Sequence, residues 1–311
     1  MEVLNQLTTL KDQYPRITVA LGTFDGVHIG HQKVISRSVE SAKQLNGTSV
    51  VFTFSNHPLS IIAPERCPLQ IITQDDKVEL IEKLGVDILL NIPFTAEFLK
   101  LSASQFIRLL LDQLNPKHIL IGPNYFFGYK RCGTPELLQK SGLQYGFTTE
   151  INPTVYVDDV MVSSTLIRQM IAAGQVHQAA TLLGRPVTLK GMVIHGAKRG
   201  RLLGYPTINL GIASGLAVPQ NGVYAVELII QDNQYNGIAN VGTNPTFHDI
   251  GRRIEVHILD FSGDLYGEAV TVRFLNHIRN EQIFSNSEEL KLQIAKDIVA
   301  AQKYYQTSQG K

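Results

Sequence analysis

Apolar positions in the first half of the chain fall into short buried runs separated by stretches of helical spacing. Residues 17–21 form one such run, closed by Gly22, and residues 49–54 form a second, rich in β-branched and aromatic side chains; both predict strands. Between them a helix is expected over residues 30–45. The same alternation continues with a helix over 75–84, a strand over 87–91, and a helix over 102–114 that places Phe106, Leu109, Leu110 and Leu114 on one face. A strand over 118–121, a helix over 134–143 and an extended segment over 147–151 complete it. Strand and helix taking turns in this way argue for a parallel sheet flanked by helices.

Beyond about Leu183 the pattern changes. Segments become short and β-rich, over residues 187–194, 223–230, 237–241, 253–259 and 269–274, with turn signals such as Gly-Tyr-Pro and Ser-Gly-Asp between them. A small antiparallel barrel is expected. A closing helix follows, with Leu290, Ile294, Ile298 and Ala301 on its apolar face and Ser285 with Glu288 as a capping box. The boundary is expected at Gly184-Arg185-Pro186, dividing the chain into residues 1–184 and 185–311.

Composition narrows the classes. Of 311 residues 44% are hydrophobic and 18% charged, which suits a globular chain of one or two domains. Basic and acidic residues number 28 and 27, so the chain lacks the broad positive field of a nucleic-acid binder while leaving room for a local phosphate site. Two cysteines, Cys67 and Cys132, allow at most one disulfide. No apolar run approaches a bilayer span and the N-terminus lacks a signal-peptide core, so a cytoplasmic protein is expected, with no membrane and no nucleic acid among its partners.

Two segments carry chemistry. The first is Gly22-Thr23-Phe24-Asp25-Gly26-Val27-His28-Ile29-Gly30-His31, running from a predicted strand into a predicted helix. Gly26 permits a tight turn and Gly30 a close backbone approach. The helix start offers N–H groups to an anion, and His28 and His31 can donate to phosphate oxygens as charge builds on them. The bland alternative is two structural histidines in a loop. Later, Ser164 and Thr165 can cap a helix or contact phosphate, with Arg168 able to clamp phosphates through its fork.

The second segment runs from Gly191 to Leu210 and is glycine-rich and basic, with Gly196, Lys198, Arg199 and Arg201 suited to wrapping phosphates. Thr207 and Asn209 are two apart, so on a strand they share a face, and their hard oxygens suit Mg²⁺. A solvated surface turn and ordinary turn capping are the bland readings of the same residues.

Taken together, these motifs resemble those of the bacterial bifunctional riboflavin kinase/FMN adenylyltransferases. The His28–His31 segment and the Ser163 to Arg168 segment are similar to HxGH nucleotidyltransferases, and residues 54–58 and 122–128 fall where the FAD synthetase module has motifs. Gly-Tyr-Pro-Thr-Ile-Asn at residues 204–209 is similar to the PTxN motif of riboflavin kinases; residues 222–225, 240–247 and 255–260 match in order. The resemblance implies an HxGH nucleotidyltransferase domain with a Rossmann-like parallel sheet, then a riboflavin kinase barrel. It implies phosphorylation of riboflavin to FMN by ATP, then adenylation of FMN to FAD with release of pyrophosphate. ATP is then a co-substrate and Mg²⁺ a cofactor, while riboflavin, FMN and FAD are substrates and products; protein partners stay open. By the same resemblance Gly22, Phe24, Asp25, His28, His31, Ser164, Thr165 and Arg168 would bind the adenylating ATP, with His28 and His31 catalytic, and Asn56 and Asn124 would meet the flavin. In the kinase Gly196, Lys198, Arg201, Thr207 and Asn209 would hold ATP and metal, Arg279 and Glu281 the flavin, and Glu255 would be the base; an exposed strand residue is the plain alternative for Glu255.

Overall fold

A computed structural model describes residues 1–196, 200, 203–243 and 252–308. The chain forms two compact units, Met1–Ser163 and Ser164–Lys311. Cys67 and Cys132 are free thiols.

The first unit is built on a six-stranded sheet. Its strands are β1 (Glu2–Leu4), β2 (Thr18–Leu21), β3 (Ser49–Phe54), β4 (Ile88–Ile92), β5 (His118–Ile121) and β6 (Thr148–Ile151), in the order β1-β4-β3-β2-β5-β6. Every pairing is parallel. The central strands are buried along their whole length, which is why they read as continuous apolar runs. Helices α1 (Ile29–Gln44), α2 (Leu59–Ile62), α3 (Gln74–Glu82), α4 (Ala96–Leu99), α5 (Ala103–Gln113) and α6 (Pro135–Tyr145) fill the connections. Local signals start several of them: Thr73 with Asp76 and Ser102 with Gln105 form capping boxes at α3 and α5. From β2 the sheet grows one way through β3 and β4 and the other way through β5 and β6, so a topological switch point lies beside β2. A small ribbon, β7 (Tyr156–Val157) and β8 (Val160–Met161), turns on Asp158 and Asp159, both at positive φ.

The second unit opens with α7 (Ser164–Ala172) and α8 (Val176–Leu183). Helix α8 buries Val176, Ala179, Leu182 and Leu183 and ends on Gly184 in the left-handed conformation. It lies against two strands of a closed antiparallel barrel. The barrel strands are β9 (Val187–Ile194), β10 (Ile208–Ile212), β11 (Gly222–Ile230), β12 (Asn233–Thr243), β13 (Arg252–Ile258) and β14 (Ala269–Asn280), in the order β10-β13-β12-β11-β14-β9. Strand β14 runs six residues past the expected end at 274 because its pairing with β11 shifts register twice, which breaks the alternation that periodicity relies on.

Helix α9 (Ser287–Ser308) covers β11 and β12. Its Tyr305 hydroxyl donates to Gly237 O at 2.6 Å and accepts from Val226 N at 3.2 Å, satisfying backbone groups next to one of the register shifts. The cap is one residue later than the spacing predicts: Asn286 Oδ1 accepts from Glu289 N at 2.9 Å, and the Glu289 carboxylate reaches back to Ser285 N. The reason is the helix start at Ser287, which makes Asn286 the half-in flanking residue and Glu289 the third helical one.

Candidate active sites

The first site grows from the carboxyl end of β2. Phe24 and Val27 sit at φ 49° and 38°, and Gly26 at 82°. A Cβ on Gly22 would stand 2.7 Å from the Phe24 ring and one on Gly26 2.9 Å from Ile71 Cδ1, so the turn needs both glycines. This turn delivers His28 to the N-cap of α1, where its Nδ1 accepts from His31 N at 3.2 Å. A ring nitrogen that accepts a hydrogen bond carries no proton, so the neutral His28 ring holds its proton on Nε2 as a donor. The His28 and His31 rings stack with centroids 3.5 Å apart, and Phe24 meets His31 edge-on at 5.3 Å. The first turn of α1 contains no acidic side chain, so its N-terminal partial charge stays open to an anion. The crevice is the one in which open α/β sheets bind ligands.

Beside it, Thr23, Asp25, Phe54, Asn56, His57 and Lys77 line a narrow cleft. The Asp25 carboxylate accepts from Ile71 N at 3.1 Å, tying the β2 turn to the segment before α3. Lys77 is buried, and its ammonium donates to Phe54 O at 2.5 Å. Burial pushes Lys77 down to about 8, partly opposed by Asp25.

The second site lies on the outer face of the barrel. Along β13, Ile254, Val256 and Ile258 point into the core, so Arg253, Glu255 and His257 face outward. Asn209 stands directly opposite Glu255 on β10, which puts the two on the same face. Arg253 joins them: its Nε donates to Asn209 Oδ1 at 2.7 Å and its Nη2 lies 2.5 Å from Glu255 Oε1. His257 Nδ1 donates to Pro206 O at 2.8 Å, fastening the segment that leads into β10. A Cβ on Gly196 would fall 2.0 Å from Asn209 Nδ2, and one on Gly200 3.2 Å from Thr207 Oγ1. The backbone at residues 196 and 200 therefore comes close to the Asn209 and Thr207 side chains, which only glycine allows at 196. Lys198, Arg199, Arg201 and residues 244–251 lie outside the described residues.

The FAD synthetase family model matches residues 10–166 and the riboflavin kinase model residues 183–305. A bifunctional riboflavin kinase/FMN adenylyltransferase from Buchnera aphidicola subsp. Schizaphis graminum is 38% identical over 310 residues, covering 98% of this chain and 99% of that one. Another, from Escherichia coli (strain K12), is 37% identical over 289 residues and 92% of each chain. The chain belongs to the bifunctional riboflavin kinase/FMN adenylyltransferase family. A crystal structure described as a macrolide-efflux protein from Streptococcus pneumoniae shares this fold, with a TM-score of 0.87 and 34% identity over 97% of this chain and 99% of that one.

Several residues that the family resemblance assigns to ligands have partners within the chain. The Asn56 amide accepts from Phe94 N at 2.7 Å and donates to Phe94 O and Ser60 Oγ, which engages both of its donors and one of the two lone pairs of its oxygen. Asn124 is exposed on the loop after β5. Ser164, Thr165 and Arg168 occupy the first two turns of α7, in the second unit, while His28 and His31 belong to the first. Arg279 turns its fork on the buried Asp297 of α9, with Nη2 to Oδ2 at 2.8 Å and Nε to Oδ1 at 2.9 Å, anchoring that helix to β14. Glu281 accepts from Asn221 Nδ2 at 3.1 Å.

Lys77 and His57 line the first candidate site and Arg253 lies in the second, beyond the residues that the motifs point to. Lys77 had a usable signal: it shares a helical face with Ile81, four residues on, and both are buried. His57 follows Asn56 in the residues 54–58 motif, and its Nδ1 accepts from Leu59 N at 3.1 Å. Arg253 had none, since only the β10–β13 register brings it to Asn209.

Proposed function

We infer that this chain makes FAD from riboflavin in two ATP-dependent steps, phosphorylation to FMN and then adenylation of FMN with release of pyrophosphate. The observation that carries this is the pairing, on one chain, of a sheet matched by FAD synthetase and a barrel matched by riboflavin kinase, each with its own glycine-built site.

In the kinase, Glu255 accepts the proton of the ribityl 5′-hydroxyl as that oxygen attacks the γ-phosphorus and ADP leaves. Thr207 and Asn209 offer the hard oxygens that Mg²⁺ prefers, in a cradle that a Cβ at Gly196 would fill. When bound, the ion neutralises charge on the phosphate oxygens. Gly196, Lys198 and Arg201 serve the same phosphates. Arg279, braced on Asp297 of α9, and Glu281, joined to Asn221, meet the flavin.

In the adenylyltransferase, a phosphate oxygen of FMN attacks the α-phosphorus of ATP. The His28 Nε2–H and the His31 ring donate to the oxygens on which charge accumulates. Gly22, Phe24 and Asp25 shape the turn that holds them, and Ser164, Thr165 and Arg168 complete the ATP contacts. Asn56, held at Phe94, and Asn124 meet the flavin.

The working boundary is Gly184-Arg185-Pro186. A fragment from Arg185 carries every kinase motif, and one from Ser163 adds the α8 face that rests on the barrel. Both should phosphorylate riboflavin, the longer with the higher melting temperature. Failure of the shorter alone would move the boundary to Ser163. A cytoplasmic location fits this chemistry; among the described residues no helix is long and apolar enough to cross a membrane.

The direct test incubates the protein with riboflavin, ATP and Mg²⁺ and resolves the flavins over time. FMN should rise and then give way to FAD, with one pyrophosphate per FAD. FMN accumulating alone would remove the adenylation step.

A further inference from the structure

The barrel site contains a cation of its own. Arg253 and Glu255 are two apart on β13 and share its outer face, and Asn209 faces Glu255 across the β10–β13 pair. One guanidinium engages Asn209 Oδ1 at 2.7 Å through Nε and Glu255 Oε1 at 2.5 Å through Nη2. Its planar fork suits two oxygens at once in a way an ammonium does not. The charged end of the clamp is reachable by solvent, with side-chain exposures of 33% and 27% for Arg253 and Glu255, while Asn209 beneath it is buried. The strand beneath is rigidly seated, because Ile254 and Val256 are fully buried in the barrel core. The guanidinium can therefore swing out without disturbing the backbone.

We propose that Arg253 is the resident cation of the kinase site, occupying Asn209 and Glu255 until the divalent ion that accompanies ATP displaces it. This rests on the kinase reading above, in which Asn209 is a metal ligand and Glu255 the base. The two occupants exclude each other by charge. A Mg²⁺ bound to an oxygen at about 2.1 Å, with a guanidinium nitrogen still on that same oxygen, would place two cations within about 5 Å of each other. Departure of Arg253 from Asn209 also releases Glu255, since one fork holds both. The base is thereby bared by the arrival of the metal nucleotide rather than standing ready in the empty site.

The test uses the full-length protein and Mn²⁺, which shares the preference of Mg²⁺ for oxygen ligands. Mn²⁺ binding is followed by electron paramagnetic resonance at fixed ADP, and the Asn209→Ala curve is subtracted to remove sites elsewhere. Arg253→Met keeps much of the stem and loses the charge. It should bind Mn²⁺ at the barrel about tenfold tighter than wild type, within the usual range for coupled sites. Arg253→Lys should fall between them. A wild-type far-ultraviolet circular dichroism spectrum and melting temperature for each variant would show that the barrel is folded. Equal or weaker Mn²⁺ binding by folded Arg253→Met would overturn the displacement, showing that Arg253 supports Asn209 rather than competing for it. If Asn209→Ala removed no Mn²⁺ site in the Arg253→Met background, the metal assignment would fall and this proposal with it. The kinase reading itself stands or falls separately, on FMN formation by wild type.

Discussion

The sheet unit and the barrel unit carry their chemistry in different places. Strand β2 is buried along its whole length, so its side chains are closed to a ligand, and the candidate groups sit on the turn beyond Leu21. Strand β13 has one buried face and one outward face, and Arg253, Glu255 and His257 stand on the strand itself. The first site thus depends on backbone conformation, with positive φ at Phe24, Gly26 and Val27 and a histidine locked as an N-cap. The second depends on register, because a slip of one residue between β10 and β13 would send Asn209 or Glu255 to the wrong face. A doubly covered strand delegates function to its end, and a half-covered strand can carry it on its surface.

The strongest challenge to this contrast is His28→Ala combined with His31→Ala. Each lost donor to a charge-bearing oxygen costs about 10² to 10³ in rate, so FAD formation should fall below detection while FMN formation continues. Loss of both activities in a folded protein would mean that the two sites are not separate. Glu255→Gln is the mirror experiment on the barrel. It keeps the shape of the side chain but cannot take the hydroxyl proton, and should slow riboflavin turnover by about 10² to 10⁴ with little change in riboflavin affinity. FMN offered as substrate should be adenylated at the wild-type rate; near-normal riboflavin turnover would leave Glu255 a surface strand residue.

Two glycines sharpen the difference between a backbone site and a register site. Gly26→Ala places a Cβ at φ 82°, close to Ile71, and Gly196→Ala drives one into the Asn209 amide. Displacements near 1 Å cost about 10² in rate, so Gly26→Ala should lower FAD formation alone and Gly196→Ala FMN formation alone. Steady-state rates with riboflavin and with FMN separate the two; crossed effects would refute the assignment of the loops.

The smallest effect is a slope in stability against pH. Burial holds Lys77 at about 8 in the folded chain against an ordinary 10.5. Between those values the unfolded chain binds the extra proton, so the cost of a charged buried lysine is full below about 8 and disappears as pH rises toward 10.5. Wild type should therefore gain stability over that window, by at most about 1.4 kcal/mol per pH unit, and Lys77→Met should lack this contribution. Urea unfolding of both proteins at pH 7.5 and pH 10 measures it, and equal slopes would place the Lys77 ammonium in contact with water.

Much of this architecture was legible in the order of residues. The strands and helices expected in the sheet unit lie within two residues of their observed bounds, because buried parallel strands and amphipathic helices leave strong periodic marks. The edge strand β1 left none, being two exposed residues and one half-buried, and α8 was hidden by its short length between Gly174 and Gly184. The His28–His31 turn was legible because one segment contains the strand end, the glycines and the helix start. The engagement of Asn56 by Phe94 and of Arg279 by Asp297 was not legible, since nothing nearby in sequence reveals those partners.

The sequence alone determined the two-module order, the family, and which residue types each site presents, because these follow from local periodicity and contiguous motifs. Only the tertiary structure decided how those side chains are engaged. It put the His28 proton on Nε2, buried Lys77 under Phe54, and set Arg253 across Asn209 and Glu255. Such partnerships join residues as far apart as 44 positions in the chain, and they are chosen by strand register and by the need to satisfy buried polar groups, neither of which has a period that a sequence can display.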